Sequence, residues 1–201
     1  MKLRSLSPVE LARAYETDFK EAFPPAELKP LHAMEAMRKR GAYDPLAMFD
    51  DKGEVEGYIF LWKHPDGRYI LIDYLCVPAE KRNGGIGGRL LQAVIAHYPP
   101  GIVFIGESEA PAGDPAQDAL ITRRLNFYAR NGARMAGYDC ALFGVHYKTI
   151  CWADPMPETG EILRKHQEIY AAQFTPEKYE KYVQIPLLPG EACKVVTDWI
   201  E

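Results

Sequence analysis

The feature that most limits what this chain can fold into is one run: Ile72-Asp73-Tyr74-Leu75-Cys76-Val77-Pro78-Ala79-Glu80-Lys81-Arg82-Asn83-Gly84-Gly85-Ile86-Gly87-Gly88-Arg89-Leu90-Leu91. A strand-like segment enters a glycine-rich turn, and the turn opens a helix in which Leu90, Leu91, Val94 and Ile95 share a face. Four glycines at a helix start are unfavourable, each by about 0.5–1 kcal/mol against Ala inside a helix. A bound phosphate is the physical candidate to compensate for that cost. Glycines let the backbone come close, and the free N–H groups of a helix N-terminus bind anions. Arg82 and Arg89 add positive charge. The turn alone also reads as a tight strand-to-helix connection with no ligand.

Two common phosphate loops do not fit. A dinucleotide fingerprint GxGxxG started at Gly85 puts Leu90 where the third glycine belongs. A P-loop needs Lys-Ser or Lys-Thr after the glycines, and neither follows.

The rest of the chain reads as mixed α and β. Ser7-Pro8-Val9-Glu10 is a helix start with the makings of a capping box, and that helix should end near Phe23-Pro24-Pro25. A second helix is expected from Ala26 to Arg40. Strands are expected at Leu46–Phe49, Val55–Trp62 and Tyr69–Val77, joined by hairpin turns. The helix after the glycines runs from Ile86 to His97, and Ile102–Ile105 is a short buried strand. Ser108 to Ala116 reads as an acid-rich loop. A helix over Asp118 to Asn131 ends at Gly132, and Met135–Phe143 with Val145–Trp152 forms a closing hairpin. The tail from Ala153 holds a helix over about Glu158 to Phe174, then Tyr179–Val183 and a Pro-rich end. The expected fold is a mixed α/β sheet with an antiparallel first half.

Composition narrows the function classes. The chain has 201 residues, 47% hydrophobic and 26% charged, with net charge −4. No basic tract marks a nucleic-acid footprint. No apolar segment approaches the roughly 20 residues of a membrane helix, and the N-terminus lacks a signal core, so the expected location is cytoplasmic with no membrane partner. Cys76, Cys140, Cys151 and Cys193 form no CxxC pair and have no His at zinc spacing. They read as core residues, and no metal is expected. His146 reads as a strand-surface or core histidine.

Arg-x-x-Gly-x-Gly at Arg82, Gly85 and Gly87, with Val77-Pro78 before it, resembles the acetyl-CoA signature of the GCN5-related N-acetyltransferases (GNAT). A second stretch agrees: in Asn126-Phe127-Tyr128-Ala129-Arg130-Asn131-Gly132, Tyr-x-x-x-Gly is similar to the end of the family's later helix. Many members carry Asn seven residues before that tyrosine and a small residue four before it; Ile121 and Arg124 stand there in this chain. The resemblance implies a GNAT domain over residues 1–152 and a C-terminal helical extension over 153–201, packed on the same domain. It implies acetyl-CoA as cosubstrate, held by Leu75, Cys76, Val77, Arg82, Asn83, Gly84, Gly85, Ile86, Gly87, Gly88 and Tyr128.

The implied reaction is direct attack of a primary amine, on a small molecule or a peptide, upon the thioester. The backbone of Leu75–Val77 would meet the thioester carbonyl, and Tyr128 would protonate the leaving thiolate. An amine with pKa near 10.4 must lose a proton first. Some relatives carry a glutamate where this chain has Leu71. The base is therefore sought in Glu107, then in Asp73 and Glu109, each of which also reads as a surface or positioning carboxylate; a water chain is the other option. Arg123-Arg124 reads equally as a helix surface or an anion contact. The acceptor pocket would form from the Ala22–Ala26 loop, the closing hairpin and the tail. In the tail, Tyr170, Tyr179 and Tyr182 fit core packing, a cover for the acceptor or a homodimer face. Two other classes compete: a non-catalytic acyl-CoA-binding or sensing module, and a nucleotide-binding α/β protein.

Overall fold

The computed structural model describes residues 1–25 and 27–196. In chain order the elements are β1 (Lys2–Ser5), α1 (Pro8–Ala14), a π-helical turn (Tyr15–Phe19), α2 (Lys20–Ala22), α3 (Leu31–Lys39), β2 (Tyr43–Phe49), β3 (Val55–Lys63), β4 (Tyr69–Cys76), α4 (Ile86–His97), β5 (Val103–Glu109), α5 (Pro115–Arg130), β6 (Arg134–Leu142), β7 (Val145–Trp152), α6 (Thr159–Ala171), α7 (Pro176–Tyr182) and β8 (Val183–Leu187). The strands form a mixed sheet in the order β1-β2-β3-β4-β5-β7-β6-β8. Contacts gather the chain into two compact units, residues 1–63 with 72–100, and residues 64–71 with 101–201. No helix among the described residues is long and apolar enough to cross a membrane.

In the first unit, β1 and β3 flank β2 in antiparallel ladders, with Lys2 opposite Phe49 and Tyr43 opposite Trp62. β2 starts earlier than its sequence suggests because Pro45 does not break it. The Pro45 carbonyl accepts from Leu6 N, just past the end of β1, so the missing proline N–H falls where the neighbouring strand has stopped. The capping box at α1 is formed: Ser7 Oγ accepts from Glu10 N at 3.3 Å, and a Glu10 oxygen accepts from Ser7 N at 2.8 Å. Ala26, the expected start of the second helix, lies outside the described residues; α3 begins at Leu31, after Pro30.

The core of this unit is aromatic. Phe19 stacks on Phe60 at 4.4 Å and meets the edges of Tyr58 and Tyr74. Leu90, Leu91 and Val94 of α4 are fully buried. α4 comes close to β3 at Gly57, where a Cβ would stand 3.2 Å from both the Cys76 carbonyl and Leu90 Cδ2. A side chain there would push α4 outward, and with it the glycine turn.

In the second unit, β5, β7, β6 and β8 pair antiparallel. β5 continues to Glu109, through polar residues expected in a loop, because Glu107, Ser108 and Glu109 pair with Thr149, Lys148 and Tyr147 of β7. The tail supplies more than helices: Val183–Leu187 adds to β6 as β8, with Ala141 opposite Gln184. β8 is an edge strand, where Pro186 is tolerated. Tyr170 and Tyr182 are buried within the chain.

Candidate active site

The glycine turn has the geometry of an anion cradle. Asn83 and Gly85 both adopt positive φ, 65° and 73°. Gly85 is the N-cap of α4, which has no side-chain cap and no acidic residue in its first turn. The left-handed backbone at Gly85 suits glycine because it has no Cβ to clash. Residues 82–85 are exposed, and Ile86 is buried beneath them. Arg82 Nε donates to the Val77 carbonyl at 3.0 Å, and Arg89 donates to the Gly84 carbonyl at 3.0 Å. Both guanidinium groups therefore stiffen the turn while lending it positive charge. An uncapped helix N-terminus in this setting attracts a diphosphate, so these residues fit the coenzyme implied by the sequence. Upstream, Leu75 and Val77 are half-buried and Cys76 is buried. Burial pushes the Cys76 thiol up to about 12, which leaves it a neutral packing group.

Tyr128 lies on α5 in the second unit. Its ring meets the edge of Trp152 at 5.7 Å, and the Trp152 indole N–H donates to the Asn131 carbonyl at 3.0 Å. Burial raises the Tyr128 pKa, with Arg124 pulling weakly the other way. Among the described residues its hydroxyl has no hydrogen-bond partner, so the proton is available to an incoming group.

Glu107 sits in a polar cluster. His166 Nε2 lies 2.7 Å from Glu107 Oε1, and the Tyr170 hydroxyl donates to both Glu107 oxygens at 3.0 and 3.2 Å. The Tyr138 hydroxyl lies 3.1 Å from His166 Nδ1. His166 is wholly buried, while Glu107 keeps 13% of its side chain exposed. Cys140 completes the group. One ligand atom each from Glu107, Cys140 and His166 lies within 4.8 Å of the others, a donor set able to hold a metal ion. Sequence reasoning missed His166. The signal was its place with Ile162, Ile169 and Tyr170 on one face of an amphipathic helix.

Side-chain alternation separates Glu107 from Tyr128. Trp152, which Tyr128 touches, stands opposite Phe104, and Gly106 stands opposite Ile150 with its missing Cβ aimed at Trp152. Glu107 projects to the other face of β5. Its neighbours engage the remaining candidates. Glu109 pairs with Arg124 at 2.8 Å. Asp114 caps α5 by accepting from Ala116 and Gln117 N–H groups, and Asp118 accepts from Ala112 and Gly113 N–H groups. The acid-rich loop is thus largely consumed in local structure. His146 lies 2.8 Å from Asp139, as a strand-surface pair. In the first unit, Asp73 is ion-paired to Lys29 at 2.7 Å and accepts from the Tyr43 hydroxyl at 2.5 Å.

A family model of the acetyltransferase (GNAT) family matches residues 9–112, more than half of the chain. The chain belongs to that family. No curated protein sequence matches it. Solved structures share the GNAT fold at low identity. A GNAT-family protein from Bacteroides thetaiotaomicron is 19% identical with TM-score 0.69, covering 86% of this chain and 98% of its own. The ribosomal-protein-S18-alanine N-acetyltransferase of Escherichia coli is 16% identical with TM-score 0.53, covering 75% and 92%. A GNAT-like decarboxylase in complex with isobutyryl-CoA is 18% identical with TM-score 0.55, covering 76% and 99%. The GNAT match takes in the glycine turn, Asp73 and Glu107. Tyr128, Cys140, His166 and Tyr170 lie beyond it.

Proposed function

We propose that the chain is an acetyl-CoA-dependent N-acetyltransferase acting by direct attack of a primary amine, on a small molecule or a peptide. The observation that carries this reading is the uncapped N-terminus of α4, reached from β4 through left-handed Asn83 and Gly85. In this reading, N–H groups over residues 83–88 hold the diphosphate, and the backbone of Leu75–Val77 donates to the thioester oxygen as negative charge develops there. A carboxylate, with Asp73 placed ahead of Glu107 because Glu107 lies on the face of β5 away from Tyr128, or water takes a proton from the ammonium. The amine nitrogen then bonds to the acetyl carbon as the C–S bond breaks, the nitrogen passes its second proton to solvent, and Tyr128 protonates the thiolate and is reprotonated from solvent. Membership of the GNAT family supports acyl transfer, and the isobutyryl-CoA bound by the GNAT-like decarboxylase, a structure of the same fold, supports a CoA thioester as ligand. The cytoplasm and a cationic acceptor are consistent with the composition, and nothing in it favours a nucleic-acid or membrane partner.

A non-catalytic acyl-CoA sensor is the second reading. A phenol on α5 with no hydrogen-bond partner among the described residues favours the enzyme, since a binder has no use for a proton donor. Acetyl-CoA and free CoA should each raise the melting temperature of the wild-type protein. Thiol release with a panel of amines separates enzyme from sensor. No thermal shift at millimolar ligand would dispose of both.

A further inference from the structure

Between α2 and α3 the chain carries Lys29, whose ammonium is held from several sides. Its Nζ lies 2.7 Å from Asp73 Oδ2, 4.2 Å from the centroid of the Trp62 ring and 5.5 Å from that of Tyr43. The Tyr43 hydroxyl donates to the same Asp73 oxygen, which fixes the carboxylate. Both rings are buried, and the Lys29 and Asp73 side chains keep only 15% and 10% of their surface. A carboxylate combined with aromatic faces is how proteins recognise alkylammonium ions. Enclosing an ion pair adds little net stability once both charges lose their water, so folding alone is a weak reason for this arrangement. Its position is also telling. Asp73 points to the same side of β4 as Leu75, two residues and roughly 7 Å farther along the strand. Leu75 opens the stretch proposed above to meet the thioester.

We propose that this cage is the acceptor site for a primary alkylammonium group and that Lys29 is its tethered occupant, displaced when an acceptor binds. The proposal rests on the N-acetyltransferase reading and names its substrate class: an unbranched primary amine with a stem like that of lysine. Lys29 belongs to neither a helix nor a strand. Its backbone stays anchored when the side chain leaves, because Lys29 N–H donates to the Tyr74 hydroxyl at 2.8 Å and that hydroxyl donates to the Glu27 carbonyl.

The test uses n-butylammonium chloride with wild type, Lys29→Met and Lys29→Met/Asp73→Asn. Butylammonium should raise the melting temperature of Lys29→Met saturably and leave that of the double variant unchanged. If Lys29 fills the cage about nine-tenths of the time or more, removing it lowers the KM for n-butylamine about tenfold or more in the acetyl-CoA assay. Lys29→Gln, which keeps a polar contact to Asp73, is run beside it to control for folding. Two results overturn the proposal. One is the absence of butylammonium binding to folded Lys29→Met or Lys29→Gln. The other is binding without faster acetylation than in wild type, which marks a structural ion pair whose vacated space the probe fills. The wild-type thermal shift with CoA separates the two readings. A shift with failed cage arms sinks the cage alone, and no shift sinks the N-acetyltransferase reading and the cage with it.

Discussion

Glu107 on β5 and His166 on α6 meet at 2.7 Å, so a helix beyond the region matched by the GNAT model holds a carboxylate inside it. His166 also lies against Tyr138, and it is fully buried. Replacing it with Ala takes away the Tyr138 hydroxyl's partner, leaves Glu107 with Tyr170 alone and opens a cavity, at a cost of about 2–4 kcal/mol. Urea unfolding should show a lower midpoint with an unchanged slope. A His166→Ala midpoint equal to wild type would mean the imidazole adds nothing to that face.

Tyr128 is the proposed general acid. Tyr128→Phe should keep CoA affinity, read by thermal shift, while thiol release falls by about 10²–10⁴. Burial raises the phenol pKa above its ordinary 10, so the proton is present across neutral and mildly alkaline pH. No loss of rate from ionisation of this group is expected below about pH 10. Full activity in the Phe variant would remove Tyr128 from the mechanism.

Glu10 ties β1 to α1. Arg4 grips it with two bonds at 3.0 and 2.7 Å, and the Ser7 N–H donates to it as well. Those bonds, the Arg4 pair first, hold its pKa at about 2, below the ordinary 4.5. A depressed carboxylate contributes stability above its unfolded pKa and loses it as pH falls through the folded one. The melting temperature of wild type should therefore exceed that of Glu10→Gln at pH 7, and the gap should close between about pH 4.5 and 2. A gap independent of pH would show that charge is not the cause.

Three of the four cysteines are buried. Burial drives the thiols of Cys76 and Cys151 up to about 12 and that of Cys140 well above its ordinary value. Thiolate is the reactive form. A disulfide reagent at pH 8 should modify one thiol rapidly in the native protein, Cys193, and four in denaturant. Rapid modification of a second thiol would show that a strand opens.

How much of this was legible beforehand differs from residue to residue. The glycine turn was legible because its signal is local: strand, glycines and amphipathic helix follow one another within 20 residues. The Ser7–Glu10 capping box was legible for the same reason. Pro45 misled because its tolerance depends on where β1 ends, which is a property of a neighbouring strand. Asp114 read as part of an acid-rich loop because a loop carboxylate and a helix cap share the same letter.

The sequence by itself determined the family fold and the place of the glycine turn, since backbone conformation and hydrophobic period are written in adjacent residues. It also narrowed the candidate carboxylates to three. Only the tertiary structure decided what each of those carboxylates touches. It brought His166 and Tyr170 to Glu107, Arg124 to Glu109, and Lys29 with Tyr43 to Asp73. Such pairings depend on which sheet face and which helix come together, and that is set by packing between segments 15 to 63 residues apart.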